Sequence, residues 1–502
     1  MVRQFVGSVA LVAPYRCRAL TDKSSVSLTT LFITAKINIF QTERGETVTD
    51  YEKDLSLARL LAERVNARGG VCYFVGGFVR DALMKRENKD IDIEVHGVTC
   101  DVLEGILDSL GHRMSMGESF GIYALRGHNI DIAMPRKEKV RGHGHRDFDV
   151  FTDPFLGTER AAKRRDFTVN ALMQNVLTGE IIDHFGGEAD LQRGILRHVN
   201  DESFCEDALR VLRAAQFSAR FGLSVAEETL ELCRKIDLSA LSRERVYTEM
   251  QKALLKSERP SVFFEVLREM NALSVWFGEL ENLIDVPQNP KFHPEGDVWT
   301  HTMMVLDAAA RYRDKVTCPE GYMLTALCHD FGKAVCTEQV GGAIHAYAHE
   351  TKGLPLIEEF ISRITSNKQI KKYVLNMCAL HMKPNKAADA NSKVKKTNKM
   401  FDDSIAPSDL VYIGAADDEG KGDTGESVSN TPFLLERLAI YNETMEKPYV
   451  KGKDLIEAGL RPDSNFSEIL AYAHKLRLAG VDKESALKQT LAFARKRVAS
   501  SK

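Results

Sequence analysis

Residues 75–97 read VGGFVRDALMKRENKDIDIEVHG, and the reading of this stretch decides the fold of the N-terminal part of the chain. A short β-rich run, Val71 to Val75, ends in Gly76-Gly77, and a helical pattern follows. Glycines at a strand end let the backbone come close to a phosphate, and a helix N-terminus attracts negative charge. A Gly-Gly turn alone is weak evidence, since most are merely turns. Asp90-Ile91-Asp92 on the next strand pattern strengthens it, because residues i and i+2 of a strand point to one face. Two carboxylates brought together are costly unless a cation lies between them. Paired aspartates are a common way to hold Mg²⁺ for phosphoryl or nucleotidyl transfer, where two ions roughly 3.5 to 4 Å apart clamp the attacking and leaving oxygens. Residues 129–134, NIDIAM, alternate with period two as residues 90–95 do. Asp131 there either completes the site or is an exposed strand aspartate.

Outward from this stretch, residues 53–68 carry apolar side chains at helical spacing and stop at Gly69-Gly70. From about Asp201 onward strand signals nearly vanish. Residues 206–220, 244–256 and 261–272 read as amphipathic helices. Helices continue to the C-terminus, interrupted by loops at 285–296 and 383–407. The second loop contains NKAADANSKVKKTNK, read as a solvated surface loop in preference to an RNA contact. No internal repeat of fixed period stands out.

At 502 residues the chain is too long for one ordinary domain. Its 44% hydrophobic and 28% charged residues suit a globular protein with ample core. The formal net charge of −3 gives RNA little overall attraction, so local basic patches would have to hold it. The 9 cysteines form no CxxC pair, which argues against a zinc ribbon or disulfide framework and for free thiols in a reducing compartment. No stretch reaches the roughly 18 to 20 apolar residues of a membrane helix. Before Glu43, Arg3, Arg16, Arg18, Lys23 and Lys36 stand against Asp22 alone. That composition fits an organelle transit peptide, a poorly ordered extension or a misassigned start.

The run 75–97 resembles the signature of the class II tRNA CCA-adding enzymes and bacterial poly(A) polymerases. Further motifs follow in that family's order. RRDFTVNAL (164–172) resembles its ribose-recognition motif, and DHFGGEADLQRGILRHV (183–199) the link from catalytic sheet to neck. EDALRVLR (206–213) resembles the motif that reads the incoming base, and SRERVYTEMQK (242–252) the last neck motif. Asp207 and Arg210, three apart, are expected on one helix face, where carboxylate and guanidinium present a Watson–Crick-like edge to C or A. A surface ion pair would show the same spacing. Arg213 is expected to neutralise phosphate or support Asp207. Where the family often has another arginine, this chain has Gln216.

The resemblance implies attack of an RNA 3′-hydroxyl on the α-phosphate of CTP or ATP. Asp90, Asp92 and Asp131 are the expected catalytic residues, with Mg²⁺ on Asp90 and Asp92. Gly76, Gly77, Arg80, Arg165, Asp166, Asn170, Asp207, Arg210 and Arg213 are the expected nucleotide contacts. Residues 136–148, RKEKVRGHGHRDF, correspond to a mobile loop of the family, with Gly142 and Gly144 as its pivots in a switch from C to A addition.

A second constellation lies downstream: His301 in HPEGDVWTHTMMVLDAA, His329-Asp330 in ALCHDFGK, and Asp417 in AADDEGK. Mixed nitrogen and oxygen ligands suit a borderline divalent transition metal. The order H…HD…D resembles the HD phosphohydrolase superfamily, and in particular the HD domains attached to bacterial CCA-adding enzymes. That implies Ni²⁺, Mn²⁺, Co²⁺ or Fe²⁺ on these four residues and phosphodiesterase or phosphatase chemistry. His345, His349 and His381 are candidates for substrate phosphate or a second ion. In the tail 447–494, KGKDLIEAGLRP reads as a packing helix in preference to an RNA contact.

The expected architecture is α+β. An extension (1–48) precedes a small mixed-sheet nucleotidyltransferase palm (49–199), an all-α neck (200–284), an HD domain (285–430) and a helical tail (431–502). The expected partners are tRNA, CTP and ATP, with no membrane. The expected location is cytoplasmic, or organellar if the first residues are a transit peptide; monomer and dimer are not distinguished. Alternatives are a poly(A) polymerase, an enzyme adding only CC or only A, or primarily an HD phosphohydrolase.

Overall fold

The computed structural model describes residues 49–115, 121–140, 148–421 and 429–500. The expected N-terminal extension and the pivots Gly142 and Gly144 lie outside the described residues. The chain divides into two compact units. The first comprises the described residues within Met1–Lys139, Asp149–Gly157 and Met173–Ile182. The second comprises those within Val140–Phe148, Thr158–Leu172 and Asp183–Lys502. Residues 158–172 and 183–199, expected with the palm, therefore go with the helical part.

The first unit is built on a seven-stranded mixed sheet. Its strands are β1 (Val71–Val75), β2 (Ile91–His96), β3 (Arg113–Ser115), β4 (Ile122–Leu125), β5 (Ile130–Ala133), β8 (Met173–Asn175) and β9 (Ile181–Ile182), in the order β3-β4-β5-β2-β1-β8-β9. Between β5 and β8, β6 (Arg136–Val140) and β7 (Phe148–Thr152) form a separate pair. β1 runs antiparallel to both β2 and β8, whereas β2 and β5 are parallel. Ile91, Ile93 and Val95 of β2 and Ile130 and Ile132 of β5 are buried. The helices Asp50–Asn66 and Cys100–Leu110 supply apolar faces through Leu61, Val65, Leu103 and Leu107. Thr49 begins the first helix with a capping box to Glu52. Buried Asp54 of that helix accepts the Asn129 backbone N–H at 3.1 Å and meets His128 Nδ1 at 2.6 Å, which fixes the entry to β5.

The second unit is mostly helical. Helices Leu209–Phe221, Arg243–Lys256 and Ser261–Glu269 match the expected ones to within a few residues. Two expectations are corrected. The loop expected over 383–407 is largely the helices Met382–Asp389 and Val394–Asp403. Its lysines are the outer face of an amphipathic helix whose Thr397, Met400 and Phe401 are buried. Short strands also persist after Asp201: β11 (Ser224–Val225) pairs with the earlier β10 (Ile195–Leu196), and β12 (Thr337–Val340) forms a hairpin with β13 (Ala343–Ala346). The turn residues Gly341 and Gly342 both have positive φ, at 59° and 82°, which suits a two-residue hairpin. Among the described residues no helix is long and apolar enough to cross a membrane.

Candidate functional sites

In the first unit, the parallel ladder sets Asp92 of β2 directly beside Asp131 of β5. Register partners in adjacent strands point to the same face, and Asp90, two residues before Asp92, shares it. Asp90 and Asp131 are exposed and Asp92 is half-buried, so this face is open at that end. Farther along the same face of β2 it closes over Glu94 and His96, buried and paired at 2.8 Å. Asp90 falls just ahead of the strand; its Oδ1 accepts from Asn129 Nδ2 at 2.9 Å. Three oxygen donors on one face suit a hard cation such as Mg²⁺. Among the described residues the three do not converge within ligand distance, unlike the clusters of the second unit.

The turn before the helix Gly77–Leu83 requires glycine at one position. Gly76 has φ 63° and ψ −127°, a conformation a side chain would oppose. Arg80, an expected nucleotide contact, is buried and donates to Asp81 Oδ1 from Nε and Nη2 at 2.8 and 2.6 Å.

The remaining expected nucleotide residues lie in the second unit. Asp166 is buried and heavily engaged: Oδ1 accepts from Phe167 N and Asn170 Nδ2, each at 2.9 Å. Its Oδ2 accepts from Arg213 Nε at 2.7 Å and lies 2.6 Å from Arg213 Nη2. Burial alone would raise the Asp166 pKa, but Arg213 and Asn170 hold the carboxyl below its ordinary value. Arg213, expected to neutralise phosphate or support Asp207, has its direct ion pair with Asp166, with Asp207 a weaker charge partner. Arg165 is half-buried.

Asp207 lies ahead of the helix Leu209–Phe221, not within it. Its Oδ1 accepts the Leu209 backbone N–H at 3.0 Å, and its Oδ2 accepts from Arg245 Nη2 at 2.6 Å. Arg210 turns elsewhere, donating to the carbonyls of Ser203 and Arg164. The two are thus held by separate anchors. Arg245 was not singled out from sequence, although it lies within the quoted motif SRERVYTEMQK.

The second constellation converges in the buried interior. His301 comes from the helix Val298–Ala310, His329 from the end of Pro319–Cys328, and Asp417 from Pro407–Glu419. His301 Nε2 is 3.2 Å from Asp417 Oδ1 and 3.7 Å from Asp330 Oδ2. His349 and His381 approach Asp330 Oδ1 from the other side, at 3.2 and 3.8 Å. Two adjacent groups with metal-ligand spacing result: His301, His329, Asp417 and Asp330, His349, His381.

Three of these imidazoles share one orientation device. Nδ1 of His329, His349 and His381 meets the backbone carbonyl three residues earlier at 2.8, 3.0 and 2.6 Å. A carbonyl only accepts, so each Nδ1 carries the proton and each Nε2 presents a lone pair inward. His349 Nε2 and His381 Nε2 then face each other at 3.2 Å, a repulsive arrangement that a shared cation or proton relieves. His329 Nε2 and both Asp330 carboxylate oxygens are buried without a hydrogen-bond partner, although Lys333 Nζ lies 2.7 Å from Asp330 Oδ2. Buried polar atoms of this kind are costly unless ligated. The donor set therefore fits a divalent transition metal.

Electrostatics agree. Burial would raise the Asp330 pKa, but Lys333 and His329 hold it well below the carboxylate range. Burial pushes His381 down to about 3. Burial also opposes charge on His301, yet hydrogen bonds to Asp417 and Glu295 raise it to about 9, so a metal would displace a proton there.

His345, by contrast, stands on the β12–β13 hairpin, half-buried and stacked on Tyr347 with centroids 4.9 Å apart. It joins none of the metal-capable groups of the described residues. Hairpin alternation, invisible in the His spacing, carries it out of the cluster. Sequence reasoning also missed Glu295, His293 and Lys333; the i, i+3 spacing of Asp330 and Lys333 was the available signal for the last. Gly332 makes the cluster possible. A Cβ there would sit well inside contact distance of the His349 carbonyl and 2.9 Å from Gly353 N.

Comparisons with known proteins place the chain in a family. The family described as the poly(A) polymerase head domain matches residues 72–197, and that described as the probable RNA- and SrmB-binding site of polymerase A matches 222–284. The multifunctional CCA protein of Pasteurella multocida is 36% identical over 409 residues, covering 79% of this chain and 94% of its own. The chain belongs to the multifunctional CCA protein family. Solved structures match in fold. The Thermotoga maritima CCA-adding enzyme complexed with tRNA aligns with TM-score 0.60 at 19% identity, over 88% of this chain and 96% of its own. The Bacillus stearothermophilus CCA-adding enzyme in complex with CTP aligns with TM-score 0.61 at 20% identity, over 89% and 99%. The mixed sheet followed by a largely helical remainder is the fold of CCA-adding enzymes.

Proposed function

We propose that this chain adds CCA to the 3′ end of tRNA without a template, using CTP and ATP and releasing pyrophosphate. The observation that carries the reading is Asp92 registered beside Asp131, with Asp90 on the same face, in a member of the multifunctional CCA protein family. Relatives of that name, and CCA-adding enzymes bound to tRNA and CTP, support the choice of substrates.

In this reading Asp90 and Asp92 would hold Mg²⁺, with Asp131 beside them completing the site, and the ion would neutralise charge developing on the transferring phosphate. The Gly76-Gly77 turn lets backbone approach the triphosphate. The RNA 3′-hydroxyl attacks the α-phosphate, and pyrophosphate leaves. Asp207 and Arg210 read the base edge, each held in place by its own anchor. Asp166, Asn170 and Arg213 act through the framework they tie together, and Arg80 through Asp81.

The same proposal gives the second unit a phosphohydrolase activity of the HD type on 2′,3′-cyclic or otherwise phosphorylated RNA ends. His301, His329, Asp330 and Asp417 would hold Ni²⁺, Mn²⁺, Co²⁺ or Fe²⁺, which when bound would activate water and polarise the phosphate. His349 and His381 serve a second ion or the substrate phosphate.

The deciding experiment supplies tRNA transcripts ending before CCA, after C and after CC with CTP and ATP, separately and together. Ordered addition that stops at CCA is expected. Unlimited A addition to arbitrary RNA would replace the reading with a poly(A) polymerase. No addition, with cyclic phosphates still hydrolysed, would leave the phosphohydrolase alone.

A further inference from the structure

One histidine of the buried cluster is oriented differently from the rest. His329, His349 and His381 all turn Nδ1 toward a backbone carbonyl of their own segment. His301 instead has its Nδ1 2.8 Å from Glu295 Oε1, with the Gly420 carbonyl farther off at 3.3 Å. The same carboxylate oxygen lies 2.8 Å from His293 Nδ1. Glu295 is almost wholly buried, with a side-chain exposure of 2%, and its Oε2 has no hydrogen-bond partner. A buried carboxylate is expensive, and one with an unsatisfied oxygen more so. Packing alone would be served better by an apolar residue, so the charge has another use.

We infer that Glu295 is a positioning residue for the metal ion of the second unit, acting through His301 and itself steadied by His293. The inference rests on the reading of this cluster as a metal centre. A carboxylate accepting the Nδ1 proton fixes the tautomer of His301, so Nε2 offers its lone pair toward Asp417 and Asp330. Unlike a carbonyl, it also places negative charge behind the ring and makes Nε2 a stronger donor. His301 thereby becomes the most electron-rich nitrogen ligand of the set. His293, whose side chain is 18% exposed, satisfies the second lone-pair direction of Oε1 and closes the relay toward solvent.

His293, Glu295 and His301 also have the spacing of a metal-holding group in their own right. The two roles make opposite predictions. A positioning residue sets how tightly one ion is held, whereas a ligand sets how many ions are held.

The test uses the full chain stripped of metal and titrated calorimetrically with Ni²⁺ alone, with thermal melting as a check of folding. Glu295→Gln removes the charge but keeps an acceptor; Glu295→Ala removes both. The expected result is a graded loss of affinity within the range of about 10- to 100-fold, smaller for Gln than for Ala, at unchanged stoichiometry. His293→Gln should weaken binding less than Glu295→Gln does. Absorption of the Co²⁺-loaded protein should shift in the Glu295 variants, a change that a purely structural role would not produce. Unchanged affinity in folded Glu295→Ala overturns the inference. So does the loss of one bound ion from the stoichiometry, which would make Glu295 a ligand. Wild-type protein that binds no Ni²⁺ overturns the metal reading itself, and this inference with it.

Discussion

The Asp166 carboxylate and the Arg213 guanidinium, 47 residues apart in sequence, meet at 2.6 Å in the second unit. Asp166 is buried, so removing its partner strands a charge. Arg213 also lies over the Phe217 ring, 5.1 Å from its centroid. Arg213→Met should lower unfolding stability by about 3 kcal/mol, as for breaking a buried pair, because Arg213 itself is partly exposed. Chemical denaturation at neutral pH measures it, and a loss below about 0.5 kcal/mol would contradict the assignment.

The same pair fixes a pH dependence. The folded pKa of Asp166 is depressed relative to the unfolded value near about 3.9. Its contribution is therefore present in full above that value and is lost as pH falls through the lower folded pKa. Asp166→Asn should be less stable than wild type at neutral pH and should show a flatter fall in stability below about pH 4. Melting temperatures across an acid series, compared between the two proteins, check the sign.

For the first unit, Asp92→Ala and Asp131→Ala should each reduce nucleotide incorporation at least about 100-fold. Binding of tRNA should change less than about threefold, because uniform binding does not rest on these carboxylates. Single-turnover incorporation beside a filter-binding measurement separates the two. Parallel loss of both would point to a folding defect.

Chelation should act on the second unit and leave the head intact. At an ion concentration about 100 times the dissociation constant, binding stabilises the native state by about 2.7 kcal/mol. Ni²⁺ or Mn²⁺ should raise the melting temperature of stripped protein, and EDTA should reverse it. In Asp330→Asn the shift should vanish, together with hydrolysis of 2′,3′-cyclic phosphates. CCA addition with Mg²⁺ restored should persist.

Gly332→Ala offers a separate handle on the same cluster. The added methyl would collide with the His349 carbonyl and with Gly353, so His349 must move. The variant should lose about 1 to 3 kcal/mol of stability and at least about tenfold in metal affinity. A variant that binds metal as wild type does would show that His349 takes no part.

Much of this was legible in the chain because local patterns coincide with the final geometry. The alternation in DIDIEV and NIDIAM gave both strands and the face of the carboxylates, since strand period and register obey short-range rules. His301, His329, Asp330 and Asp417 were readable from motif order. The misreadings share a physical cause: tertiary contacts that spacing does not encode. Asp207 sits three before Arg210, yet the helix starts at Leu209 and Arg245 takes the carboxylate. The lysine-rich stretch before Asp403 resembled a solvated loop until Met400 and Phe401 found a buried face. His345 lies four before His349, but the hairpin and left-handed Ala348, with φ 59°, send the two in different directions. Glu295 was hidden because its role depends on two histidines converging on one oxygen.

The parallel pairing of β2 with β5 carries a consequence for how the head tolerates change. The ladder, and not the length of chain between the strands, decides which residue of β5 stands beside Asp92. Extra residues spliced in at Gly127, where nothing lies within 4 Å of an added Cβ, leave that pairing untouched. A single residue removed from within β5 slides the strand by one step and turns Asp131 to the opposite face of the sheet. The turn at Gly127 that leads into β5 is thus free to vary in length, while four residues of β5 admit no deletion at all.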